Sequence, residues 1–261
     1  MLIKRKSIEQ VESSRRPARK AKFAPVTLSE QDGVRYLHFG TEWVQGAMRM
    51  RKPDWPELEY AQQMMAWMLF LEQPRAIAQL GLGTATLTKF CYRQFPNATV
   101  TAVELNASVI NICESMFKMP SNDERLNVLE MDALDFVNDP EHREAFDVLQ
   151  CDLYDATARG PVLDTPEFYQ ACCACLSPGG IMTVNLFGDH PSFARNIKAM
   201  KFAFDYVICL PEVHDGNVVA ICFQARPALD FAALDARALQ IVAATKLPAK
   251  SWVKGIKTAL Q

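Results

Sequence analysis

The sequence predicts an α/β fold whose sheet is mostly parallel and closes in an antiparallel hairpin. Three observations predict it. From Ala76 onward, short apolar runs alternate with stretches of helical spacing, the pattern of consecutive strand–helix units. The first of these runs enters Gly81-Leu82-Gly83, a strand–turn–helix signature. The last two, Tyr206–Val213 and Val218–Gln224, are separated by the turn-formers His214-Asp215-Gly216-Asn217, which imply a hairpin.

Residues 1–24 carry Lys4, Arg5, Lys6, Arg15, Arg16, Arg19, Lys20 and Lys22 against Glu9 and Glu12. With too little apolar surface to fold, they read as a disordered basic arm. Residues 25–56 form a small β region. Val34 to Met50 alternates apolar and polar residues around Gly40, the pattern of a short hairpin, and Lys52-Pro53-Asp54-Trp55-Pro56 stops it. Residues 57–226 form the α/β domain. It opens with a helix over Glu57–Leu71, ended by Pro74. Strands follow over Ala76–Leu80, Ala98–Leu105, Leu126–Met131, Phe146–Leu153 and Ile181–Phe187, with helices at Ala85–Phe95, Ala107–Phe117, Thr165–Leu176 and Ser192–Phe204. The turn Ser177-Pro178-Gly179-Gly180 precedes the fifth strand. Residues 227–261 read as one or two helices on the outside. Trp43, Trp55 and Trp67 are expected to pack the N-terminal region against the sheet.

The 261 residues suffice for one large α/β domain, and 49% hydrophobic with 22% charged residues describes an ordinary globule. A formal net charge of -2 gives no support for binding nucleic acid or an anionic membrane. No apolar run approaches the ~20 residues that span a bilayer, and the N-terminus lacks a signal-type core, so a cytoplasmic protein is expected. Of the eight cysteines, Cys91, Cys113, Cys151, Cys209 and Cys222 fall singly in apolar segments. Cys172, Cys173 and Cys175 lack a metal-ligand spacing, and no histidine pair completes a set. They read as reduced structural thiols, and no metal is expected.

Chemistry concentrates at the predicted carboxyl ends of the strands, where ligands bind in open α/β sheets. Gly81 and Gly83 let backbone approach a nucleoside. Glu104, ending the second strand within Val-Glu-Leu-Asn, can accept from both ribose hydroxyls. Asp132-Ala133, ending the third, can accept from an adenine amino group, although Asp132 serves equally as a helix N-cap before Leu134. The turn lacks a third glycine, but a nicotinamide dehydrogenase stays open because Glu104 lies at the usual ~20-residue spacing. The fourth strand delivers Asp152 and then Asp155. Carboxylates there can take a proton from an attacking amine or hold a cationic substrate. Loop capping is the alternative for Asp155. His190 reads as a helix-capping residue, and His214 and Asp215 as turn residues.

From about Gly33 to Gln224 the sequence resembles the spermidine synthase (polyamine aminopropyltransferase) family. Gln45 in Trp43-Val44-Gln45 looks like the family's nucleoside-contacting glutamine, and Tyr60 like the tyrosine of its amine pocket. Glu104 matches the ribose acid and Asp132-Ala133 the adenine pair. Asp152 and Asp155 match an Asp-x-x-Asp pair whose first member is the catalytic proton acceptor. The resemblance implies a class I methyltransferase-like sheet behind a small N-terminal β region. It also implies a homodimer, decarboxylated S-adenosylmethionine as donor and a small-molecule amine such as putrescine as acceptor.

The departures lie in the donor-tail and acceptor half of the site. The family's glycine loop carries an aspartate that holds the aminopropyl amine, whereas nothing between Leu80 and Phe90 is acidic. Ala61, Gln62 and Gln63 stand where the family has a His-Glu or Gln-Glu pair. Arg159 sits in a longer loop after Asp155. Two alternatives therefore stand beside aminopropyl transfer. One is an S-adenosylmethionine-dependent methyltransferase, with Arg159 facing the donor carboxylate; the other is a non-catalytic nucleoside-binding relative. Gln45, Tyr60 and the Asp152/Asp155 pair favour aminopropyl transfer, since a generic methyltransferase has little use for them.

Overall fold

A computed structural model describes residues 23–155, 160–213 and 216–260. Residues 1–22 of the expected arm, Arg159, His214 and Asp215 lie outside the described residues, and so do the roles expected of them. Among the described residues, ten strands form two sheets. The first is an antiparallel meander of β1 (Val26–Gln31), β2 (Val34–Phe39) and β3 (Gly46–Arg49). The expected hairpin around Gly40 is the β2–β3 pair. The preceding β1 was signalled by Asp32-Gly33, two residues in left-handed conformation (φ 51° and 76°) that make the favoured two-residue turn.

The second sheet has seven strands: β4 (Ala76–Leu80), β5 (Thr99–Glu104), β6 (Leu126–Glu130), β7 (Phe146–Cys151), β8 (Leu176–Phe187), β9 (Tyr206–Cys209) and β10 (Asn217–Phe223). Their order across the sheet is β6-β5-β4-β7-β8-β10-β9. The first five are mutually parallel, and β10 runs antiparallel to both β8 and β9. This is the predicted fold class, with the chain reversing direction outward from β4 and β7, where a ligand crevice opens.

Both faces of the sheet are covered, which accounts for its near-continuous apolar strands. Ile77, Val100, Val148, Ile181 and Ile221 face α2 (Thr86–Gln94), α3 (Ala107–Met116) and the C-terminal helices α7 (Phe231–Thr245) and α8 (Ala249–Ala259). Alternate residues Ala78, Leu149, Met182 and Ala220 face α4 (Ala133–Asn138), α5 (Pro166–Cys175) and α6 (Phe193–Ala203). The cysteines are all free thiols, and six of the eight are buried.

Two expectations need correction. The helix over Glu57–Leu71 is broken: α1 spans only Glu59–Gln63, followed by a 3-10 turn at Ala66–Leu69. The carbonyl of Met64 is taken by buried side chains, Gln150 Nε2 at 3.3 Å and Thr183 Oγ1 at 3.1 Å, while Met68 N turns to Met65 O at 3.0 Å. Side chains of the sheet thus capture the acceptor that a continuous helix needs. Trp67 is fully buried against Phe95, but Trp43 is 57% exposed. It lies between β2 and β3 at the mouth of a cavity rather than against the sheet. The turn at Ser177–Gly180 survives as a bulge: Phe146 pairs with Leu176 and Val148 with Ile181, so those residues leave the ladder.

Candidate active site

A cavity of about 870 Å³ opens at the carboxyl ends of the parallel strands. Its floor is the turn after β4. Gly81 takes φ +88° and Gly83 φ +53°, conformations that cost a residue with a Cβ. The small sheet docks on this turn. Thr84 and Thr86 hydroxyls both reach the carbonyl of Ala47 in β3, at 3.4 and 3.2 Å. A Cβ on Gly46 would collide with Thr84 at 2.7 Å, so close docking needs glycine there. That contact brings Gln45 over Gly83. Gln45 lines the cavity and its Nε2 donates to the Asp155 carbonyl at 3.3 Å.

Glu104 ends β5 with both oxygens engaged by backbone amides. Oε2 accepts from Leu82 N at 3.1 Å and Oε1 from Asn106 N at 2.9 Å. Burial raises its pKa, and these backbone amides oppose the rise. Asp132 caps α4 by accepting from Leu134 N at 2.8 Å and also lines the cavity beside Ala133. Capping and a place in the cavity lining coexist in it.

Asp152 follows β7 at the centre of the crevice. Its Oδ1 accepts from Asn185 Nδ2 at 2.9 Å, and its Oδ2 from the hydroxyl of Tyr60 at 3.4 Å. Burial pushes its pKa up to about 6, against the pull of both donors. A carboxylate so placed is a usable base near neutral pH. Asp155 stands apart. It is exposed, contributes its carbonyl to Gln45, and is absent from the residues that line the cavity.

Three groups escaped the sequence reading. Asn185, Asn217 and Tyr154 line the wall beyond Asp152 and are joined to it, Asn217 Nδ2 donating to Asn185 Oδ1 at 3.0 Å and meeting the Tyr154 hydroxyl at 3.4 Å. The signal was an amide inside the apolar run Ile181–Phe187. Asp189, after β8, and Glu212, after β9, extend the lining. His190 does not cap α6, which has no side-chain cap; its Nδ1 instead meets Ser192 Oγ at 2.6 Å and accepts from Ser192 N at 3.2 Å, just before the helix.

The charge of the cavity is one-sided. Glu42, Glu104, Asp132, Asp152, Asp189 and Glu212 line it, and no lysine, arginine or histidine does among the described residues. No cluster of His, Cys, Asp or Glu among the described residues has a metal-holding arrangement. No helix among them is long and apolar enough to cross a membrane.

The fold is shared with a probable spermidine synthase of Corynebacterium glutamicum (TM-score 0.69, 19% identity, covering 88% of this chain and 91% of that one). It is shared also with human methyltransferase-like protein 13 in complex with SAH (TM-score 0.60, 23% identity, 74% and 93%). Among sequences, the polyamine aminopropyltransferase of Neisseria meningitidis is 31% identical over 214 residues, covering 81% of this chain and 80% of its own. That of Chromobacterium violaceum is 30% identical over 215 residues, covering 82% and 81%. A sequence model of the spermine/spermidine synthase domain matches residues 64–232. With that domain match over more than half of its length, and relatives 31% identical across 81% of it, the chain belongs to the spermine/spermidine synthase family of aminopropyl-transferring enzymes.

Proposed function

We propose that this protein transfers the aminopropyl group of decarboxylated S-adenosylmethionine to a diamine such as putrescine, releasing methylthioadenosine. The observation that carries this reading is the cavity lined by six carboxylates with no cation among its described residues. Both partners of the reaction are cationic, one a sulfonium and the other an ammonium.

The nucleoside lies over Gly81 and Gly83, with its ribose hydroxyls on Glu104, its adenine toward Asp132 and Ala133, and Gln45 above. The sulfonium then points toward Asp152 and Tyr60. The acceptor nitrogen attacks the carbon next to sulfur; the carbon–sulfur bond breaks and its electron pair stays on sulfur as a neutral thioether. The proton of the attacking amine passes to Asp152 Oδ2, while Tyr60 orients that oxygen. Proximity supplies much of the rate, because the sulfonium is already an activated leaving group.

Holding the second ammonium falls to Asp189 and Glu212, which line the end of the crevice opposite Asp132 along the strand order. Asp155, assigned to the amine by resemblance, acts through its carbonyl on Gln45. A homodimer is the form the resemblance implies. The test is incubation with decarboxylated donor and putrescine, with mass detection of spermidine and methylthioadenosine. Methyl transfer from intact S-adenosylmethionine, with no methylthioadenosine from any diamine, would overturn the reading in favour of a methyltransferase.

A further inference from the structure

We propose that Asn185 and Asn217 form a positioning relay that holds one oxygen of Asp152 as a fixed acceptor and leaves the other free for the amine proton. The inference rests on the reading of Asp152 as the proton acceptor. The relay follows from strand register. Cys151 pairs with Val184, which sets Asp152 beside Asn185. Asn217 pairs with Phe187, which sets its side chain diagonally next to that of Asn185 on the same face.

The amide directions are fixed in series. An ionised carboxylate only accepts, so Asn185 must turn Nδ2 toward Asp152 Oδ1, at 2.9 Å. Its Oδ1 then faces backward and needs a donor, which Asn217 Nδ2 provides at 3.0 Å. Asn185 is 1% exposed and Asn217 8%, so both bonds are largely shielded from bulk water. The result is that Oδ1 is occupied. Among the described residues Oδ2 has the long 3.4 Å contact with Tyr60, and it is the oxygen left for the amine.

A neutral relay suits this cavity for an electrostatic reason. A lysine or arginine at 185 would also favour charged Asp152, but it would repel a sulfonium and an ammonium. An amide favours the carboxylate without adding a cation. The groups facing Asp152 are consistent with this. Tyr60 comes from α1 and Tyr154 from the segment after β7, while Cys151 is its neighbour in β7. Burial raises the hydroxyl of Tyr154 and the thiol of Cys151, so both stay neutral. Glu42, Glu104, Asp132, Asp189 and Glu212 complete the charged lining.

The experiment compares wild type with N185L, N217L and the double variant. Methylthioadenosine release is followed from about pH 5 to 9 at saturating decarboxylated donor, with putrescine as acceptor. Loss of the donor to charged Asp152 should move the acid limb of kcat/KM upward by about one pH unit in N185L. N217L should move it in the same direction by less, and the double variant no further than N185L, because the two amides act in series. Methylthioadenosine affinity should stay within about twofold, since neither residue is assigned to the nucleoside. An unmoved limb in N185L, or additive shifts in the double variant, would overturn the relay. A structural role alone would lower Tm and scale the rate equally at every pH. Should leucine at 185 prevent folding, N185A replaces it. The carboxyl carbon of Asp152, titrated by NMR, reads the same shift without turnover. A wild type that releases no methylthioadenosine thus counts against the transfer reading, whereas an unshifted carboxyl titration counts against the relay.

Discussion

The carbonyl oxygen of Asp152 lies 2.3 Å from the position a Cβ on Gly81 would occupy. The glycine turn and the strand end that carries Asp152 thus touch backbone to backbone, and Asp152 N donates to Leu80 O at 2.9 Å beside that contact. Nothing larger than glycine fits without pushing Asp152 away from Asn185 and Tyr60.

Gly81→Ala should therefore damage stability and turnover together. The φ of +88° costs alanine about 1 kcal/mol, and relief of the overlap adds at least as much. A fall in Tm of roughly 4–8 °C follows for a chain of this size. Thermal melting and kcat on one preparation check it; a variant with unchanged Tm and kcat would show the turn is free to move.

Glu104→Gln should weaken methylthioadenosine binding by roughly 10- to 100-fold, the effect of losing a charged acceptor for the ribose hydroxyls. Glutamine is the informative substitution. Alanine would also release Leu82 N and Asn106 N, so its effect would mix ligand affinity with the integrity of the turn. Calorimetric titration is the measurement, and unchanged affinity in the folded variant would remove the nucleoside from this end of the cavity.

Lys89 gives a prediction about stability against pH. It is fully buried under the small sheet, with Nζ donating to the Phe117 carbonyl at 2.6 Å and lying 3.4 Å from Met48 Sδ. Burial lowers its pKa from 10.5 to about 8. Between those values the unfolded chain binds a proton that the folded one does not, so folding stability rises with pH through that window. The destabilisation is fully present below pH 8 and fades toward 10.5. Lys89→Met removes the titration, so wild type should gain about 3 kcal/mol on the variant between pH 7 and 10.5. Urea melts of both proteins at those two pH values measure it, and a constant difference would mean that Lys89 does not deprotonate in the fold.

Local signals gave away most of this architecture. The strand–helix alternation, the glycine turn and the polar turn before Asn217 are each visible within a few residues, and parallel strands placed Glu104, Asp132 and Asp152 at one edge. The break after Gln63 was not visible, because it depends on Gln150 and Thr183, which reach Met64 from strands far along the chain. The same holds for Asn185 and Asn217. A buried amide in an apolar strand looks like any tolerated polar residue until register sets it beside a carboxylate. The acidic character of the cavity was half legible: Asp189 and Glu212 sit in loops where solvation is the usual role, and only the strand order brings them to the crevice.

The sharpest test separates Asp152 from the acids beyond it. Asparagine at 152 keeps the shape of the side chain and can still meet Tyr60, but it is neither an anion nor a base. Asp152→Asn should cost ~10²–10⁴-fold in turnover while methylthioadenosine affinity is largely retained. In wild type, burial sets the pKa of this group at about 6, so kcat/KM should fall below that pH as the carboxylate takes up a proton. Glu212→Gln should act differently, raising KM for putrescine with little change in kcat, if Glu212 holds the distal ammonium as proposed and not the reacting one. A monoamine acceptor such as propylamine, which lacks that second charge, should not distinguish Glu212→Gln from wild type. Equal losses of kcat in both variants would mean that the two carboxylates share one task, and the division of the crevice into a reacting centre and a distal anchor would fail.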